Sequence, residues 1–119
     1  MKYTIFDTNG FDDYKSWLHD DKSKYERINS LITSIQRDGP LGGIGKPEPL
    51  KGNYKGNYSR RIDDKNRLIY QYQQNKQTGD TNTIITGCKE HYKGKEQTQK
   101  QKLINMISIS EENRNKGEK

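Results

Sequence analysis

Glu48, Arg67 and His91 carry three different ionisable groups that, brought together, would suffice to cut RNA without a metal ion. A carboxylate can take the proton from a ribose 2′-OH, a guanidinium can stabilise the charge that builds on a phosphorane-like phosphate, and an imidazole can protonate the departing 5′-oxygen. Glu48 lies in the run Lys46-Pro-Glu-Pro-Leu50, where the flanking prolines restrict the backbone and would hold the carboxylate in place. Tyr92 follows His91 directly and either stacks on a base or caps a sheet. Other chemistries lack their groups. His19 and His91 are far apart and Cys88 has only His91 nearby, so no set of residues has metal-ligand spacing. A phosphate-binding Gly-rich loop, a dinucleotide fingerprint and a nucleophile elbow are also missing. Neither a metal nor a cofactor is expected.

Each of these residues also has a plainer reading. Glu48 alone is more often a solvated loop acid, and Arg67, beside an Asp-rich turn, could simply pair with Asp63 or Asp64. His91 alone would be a surface or partly buried histidine, although its ordinary pKa suits proton transfer near neutrality. Arg60 and Arg61 are neighbours on one strand and must point to opposite sides of it. At most one of them faces a substrate, and the other pairs with an acid or a phosphate elsewhere. Trp17 and the helix tyrosines read as core, and Cys88 as a small buried hydrophobe.

The elements that must position these groups follow from periodicity. Residues 2 to 6 read as a strand, and Asp7, Thr8 and Asn9 offer caps for a helix with apolar positions Phe11, Tyr14, Trp17 and Leu18. Ser23-Lys-Tyr-Glu26 has the form of a capping box for a second helix, which runs through Tyr25, Ile28, Leu31, Ile32 and Ile35 to a stop at Gly39-Pro40. Leu41 to Pro49 reads as a Gly/Pro-rich loop. Strands are predicted at Tyr58 to Asp63, Arg67 to Tyr72 and Thr83 to Tyr92, with a turn over Asp63 to Asn66 and a polar connection over Gln73 to Asn82. The expected fold is α+β: a two-helix hairpin packed on a small antiparallel β-sheet in the order β-α-α-β-β-β, leaving one sheet face for a substrate.

Composition sets the wider limits. One domain accounts for the 119 residues. The chain is 27% hydrophobic and 32% charged, close to the composition of disordered chains, but eight tyrosines and Trp17 restore the capacity to bury apolar area. The formal net charge of +6 favours polyanionic partners, and the charge is uneven. Residues 46 to 67 hold Lys46, Lys51, Lys55, Arg60, Arg61, Lys65 and Arg67 against three acids, whereas residues 7 to 26 hold six acids against three lysines. A single cysteine allows no internal disulfide, and no stretch has the character of a signal peptide or membrane span. These features predict a cytoplasmic protein with no membrane partner.

Four segments, in order, resemble the YoeB toxins (Txe/YoeB family) of the RelE superfamily: Gly-Ile-Gly-Lys-Pro-Glu-Pro-Leu-Lys (43 to 51), Tyr-Ser-Arg-Arg-Ile (58 to 62), Asn-Arg-Leu-Ile-Tyr (66 to 70) and Cys-Lys-Glu-His-Tyr (88 to 92). The resemblance extends more weakly through Phe11-Asp-Asp-Tyr14 and the second helix, so it covers a toxin domain over residues 1 to 92. It implies a RelE-like, microbial RNase-like fold, dimerisation, silencing by a YefM-like antitoxin, and endoribonuclease action on mRNA in the ribosomal A site. By the same resemblance Glu48 is the general base, Arg67 the transition-state cation, His91 the general acid and Tyr92 the aromatic group that orients RNA. Lys51, Arg60 and Arg61 are its RNA-binding residues. This chain departs from the family in its long polar connection at residues 73 to 82 and in a polar extension over residues 93 to 119, which reads as a helix or as disorder. The alternative to a nuclease is a non-catalytic RNA- or antitoxin-binding module of the same fold.

Overall fold

A computed structural model describes residues 1 to 90 of the chain. His91, Tyr92 and the extension over residues 93 to 119 lie outside the described residues. The chain runs β1 (Lys2–Phe6), α1 (Thr8–Asp20), α2 (Lys22–Asp38), β2 (Glu48–Pro49), β3 (Asn57–Arg61), β4 (Arg67–Gln74) and β5 (Thr81–Glu90), with one 3₁₀ turn at Gly52–Tyr54. Asp7 caps α1 by accepting from the Gly10 N–H at 2.7 Å. Asp21 ends α1 and starts α2. Its extended backbone sends an N–H to the Trp17 carbonyl, while its carboxylate accepts from both the N–H and the hydroxyl of Ser23. The cap expected at Ser23 therefore falls two residues earlier, because an aspartate in extended conformation reaches the free N–H groups of the first turn directly.

The α+β class and the helical hairpin are as expected, and the sheet adds two features. Its order is β1-β5-β4-β3-β2, antiparallel throughout except that β1 pairs parallel with β5. A parallel neighbour requires a crossover, and the two helices between β1 and the meander supply it. The other addition is β2, within the stretch expected to be loop, whose Glu48 and Pro49 pair with Ser59 and Tyr58. Pro49 is tolerated there because β2 is an edge strand and needs no N–H on its outer side. The polar connection tightens to a turn over residues 75 to 80, closed by Asn75, whose side chain accepts from the N–H groups of Gln77 and Thr78.

Both helices cover one face of the sheet. Ile28, Leu31, Ile32 and Ile35 of α2 and Trp17 of α1 meet Ile62, Leu68, Tyr70, Ile85 and Cys88. Full burial of an Ile or Leu stabilises by about 1.5–3 kcal/mol, so this cluster supplies the main stabilising term of a chain poor in apolar residues. Trp17 also donates its indole N–H to the Cys88 carbonyl at 2.7 Å, tying α1 to β5. Gly10 lets α1 come that close, since a Cβ there would collide with the Ile85 carbonyl. Phe6, Tyr14 and Tyr25 continue the core outward as an aromatic chain with centroids 4.8 and 5.0 Å apart. Phe11 and Leu18, expected on the buried stripe, are 46% and 50% exposed.

Candidate functional site

The register of the sheet decides which side chains share the face opposite α1 and α2. Leu68 and Tyr70 of β4 are in the core beneath the helices, so Arg67 and Ile69 point the other way. Arg61 stands directly opposite Arg67, Ser59 opposite Ile69, and Glu48 opposite Ser59. Glu48, Ser59, Arg61 and Arg67 thus occupy one face across three neighbouring strands. Of the residues read from the sequence as catalytic or RNA-binding, the sheet brings Glu48, Arg61 and Arg67 together.

Glu48 is half-buried, and the Ser59 hydroxyl approaches its Oε1 at 3.5 Å, the outer limit of a hydrogen bond. Ser59 was missed in the sequence. The signal was its position two residues before Arg61, which places both on one strand face. The chain carrying Glu48 is fixed on both sides: the Arg61 N–H donates to the Gly45 carbonyl at 2.7 Å, and the Leu50 N–H to the Asn57 carbonyl at 2.9 Å. Gly45 has φ +88°, and a Cβ there would stand 2.6 Å from Leu31 Cδ2, so only glycine lets the loop lie against α2 at this point.

Arg67 is buried, and its Nη1 donates to the backbone carbonyls of Asp63 at 2.7 Å and Asn66 at 3.1 Å. The carboxylate of Asp63 is used elsewhere. It accepts from the N–H groups of Lys65 and Asn66 and from the Asn66 amide, and it pairs with Lys24 at 3.4 Å. Burial alone would raise the Asp63 pKa, but these donors hold it down at about 2. Desolvation, and then the positive charge of Arg61, lower the Arg67 pKa, while Asp63, Glu48 and Asp64 act to raise it. The guanidinium remains charged at any working pH, held beside a second cation and within the field of Glu48. That is a suitable place for a phosphate.

Arg60 is not part of this face. It is fully buried among α2, β4 and the loop after α2, donating to Tyr70 Oη, Ser34 Oγ and the carbonyls of Gly39, Pro40 and Ile44. The expectation that it binds RNA is corrected: strand alternation turns it away from the open face, and its donors are consumed inside the protein. Lys51 is exposed at the start of the 3₁₀ turn. β5 reaches Arg67 at Glu90, the residue before His91, after two register shifts opposite the stretch from Arg67 to Tyr70. Among the described residues, no three His, Cys, Asp or Glu side chains gather as metal ligands would, and no helix is long and apolar enough to cross a membrane.

The chain is similar to known proteins over residues 6–92. The family model described as a YoeB-like toxin of bacterial type II toxin-antitoxin systems matches residues 6–92. The toxin YoeB of Streptomyces coelicolor is 46% identical over 87 residues, covering 73% of this chain and 95% of the relative. Among solved structures, a YoeB dimer from Staphylococcus aureus is 43% identical with a TM-score of 0.67, covering 76% of this chain and 97% of that one. A YoeB-YefM complex from the same organism is 40% identical with a TM-score of 0.65, covering 77% and 99%.

Proposed function

The chain belongs to the YoeB-like toxins of bacterial type II toxin-antitoxin systems, and on that premise we propose that it is an endoribonuclease that cuts mRNA held in the ribosomal A site. The observation that carries this reading is the sheet face opposite α1 and α2, on which Glu48, Arg61 and Arg67 stand together across three neighbouring strands. Glu48 takes the 2′-OH proton of the ribose, and Arg67, with Arg61 beside it, stabilises the charge on the phosphate during attack. His91 protonates the departing 5′-oxygen and Tyr92 orients the RNA. Ser59 steadies Glu48, and Lys51 adds contact to the RNA backbone. The mechanism uses side-chain acid and base groups and asks for no metal or cofactor.

A YefM-like antitoxin and a second copy of the chain are the protein partners, supported by the complex and the dimer solved for the Staphylococcus aureus relatives. Its substrate places it in the cytoplasm. Residues 1 to 92 form the toxin domain, and residues 93 to 119 are an extension to it.

Cleavage on programmed ribosomes tests the proposal, comparing the full chain with Glu48→Ala, His91→Ala and a chain ending at Tyr92. Cleavage is expected in the full chain, lost by at least about 100-fold in each point variant, and kept by the truncated chain. If all four leave the mRNA intact while still binding ribosomes, the non-catalytic binding module is the correct reading.

A further inference from the structure

We propose that Arg60 is a positioning residue, a buried latch that sets the place of Glu48 by holding the loop that leads to it; the inference rests on the reading of Glu48 as the base. Burying a guanidinium is unfavourable unless its donors are fully used, and an apolar side chain would fill the same space without that cost. What the guanidinium adds is a fixed planar fork. Nη2 donates to the Gly39 carbonyl at 2.9 Å and the Pro40 carbonyl at 3.4 Å, where the loop leaves α2. Nη1 donates to the Ile44 carbonyl at 2.7 Å, where the loop returns, and to Ser34 Oγ on α2 at 3.1 Å. Nε donates to Tyr70 Oη at 2.9 Å, and that hydroxyl donates in turn to the Pro40 carbonyl at 2.5 Å.

Both ends of the loop are therefore tied to one rigid group, itself anchored on β3 beside Arg61. The next residues inherit that placement. Ile44 N–H donates to Ser34 Oγ at 3.1 Å, Gly45 is held by the Arg61 N–H, and Glu48 pairs with Ser59. Arg60 and Arg61 thus work on the same segment from opposite faces of one strand. The guanidinium also lies by the C-terminal end of α2, whose partial negative charge favours a cation. Lysine cannot reproduce the arrangement, because one ammonium cannot reach acceptors spread across both ends of the loop.

The test compares Arg60→Lys with the full wild-type chain for cleavage on ribosomes, in the wild-type and in the Glu48→Ala background, after circular dichroism shows that each variant is folded. A misplaced base of this kind is expected to lower kcat by on the order of 100-fold while KM changes by less than about twofold. If Arg60 acts through Glu48, adding Arg60→Lys to Glu48→Ala costs less than about twofold more. Tyr70→Phe, which removes one hydroxyl of the latch, is expected to move kcat in the same direction by less, and it decides the matter by the same comparison if Arg60→Lys does not fold. Equal losses in both backgrounds, a loss confined to KM, or unchanged kcat would overturn the latch alone. A wild-type chain that leaves mRNA intact sinks the nuclease reading, and this inference with it.

Discussion

Arg67 is set in place by a turn, and that turn is held by a single carboxylate. Asp63 collects donors from Lys65, Asn66 and Lys24, while its own carbonyl accepts from Arg67. Its pKa of about 2, below the ordinary 3.8, means that the ionised form is favoured by folding. The sign follows directly: this stabilisation is complete above about pH 4 and is lost as the pH falls toward 2. Asp63→Asn is expected to lower Tm at neutral pH, with the gap to wild type closing between about pH 4 and pH 2. A gap that stays constant down to pH 2 would show that the charge of Asp63 contributes nothing. Residue types were legible in the sequence, and so was the rule that Arg60 and Arg61 must face opposite ways. Which of the two is buried was not, because that depends on which sheet face the helices cover.

At the scale of the element, Asp21 does the work of two caps. It terminates α1 with its backbone N–H and opens α2 with its side chain, so the helical hairpin turns within one residue. Asp21→Ala is expected to lower Tm by several degrees and Asp21→Asn by much less, since Asn keeps an oxygen acceptor at the cap. Thermal melts followed by circular dichroism measure both, and equal melting of the two variants would assign the hairpin to packing alone. Helix positions were readable because their apolar spacing and stop signals are local. The two-residue β2 was not, because nothing in Glu48 and Pro49 announces a strand until β3 lies alongside. The shifts in β5 were equally hidden: a bulge is a property of the pairing of two strands.

The described residues divide into a helical side that stabilises and an opposite sheet face that carries Arg61 and Arg67 beside Glu48. Cys88 belongs to the first side. Burial pushes its thiol pKa up, so it serves as packing against the helices. On the other face, ribosome binding by the full chain is expected to weaken steeply with salt, with a log–log slope that falls in magnitude by roughly one for each phosphate contact removed. Lys51→Gln is expected to flatten the slope in this way, whereas an unchanged slope would take Lys51 out of the contact set. The first strand, the two helices, the three long strands that follow and the basic middle of the chain were already legible in the sequence, because residue type, local periodicity and short motifs carry them. Only the tertiary structure decided that β1 inserts parallel beside β5, that β2 joins the edge next to β3, and that Arg60 goes inward while Arg61 stays with Arg67. Those are pairings between segments distant in the chain, set by which faces can be buried together, and no local pattern encodes them.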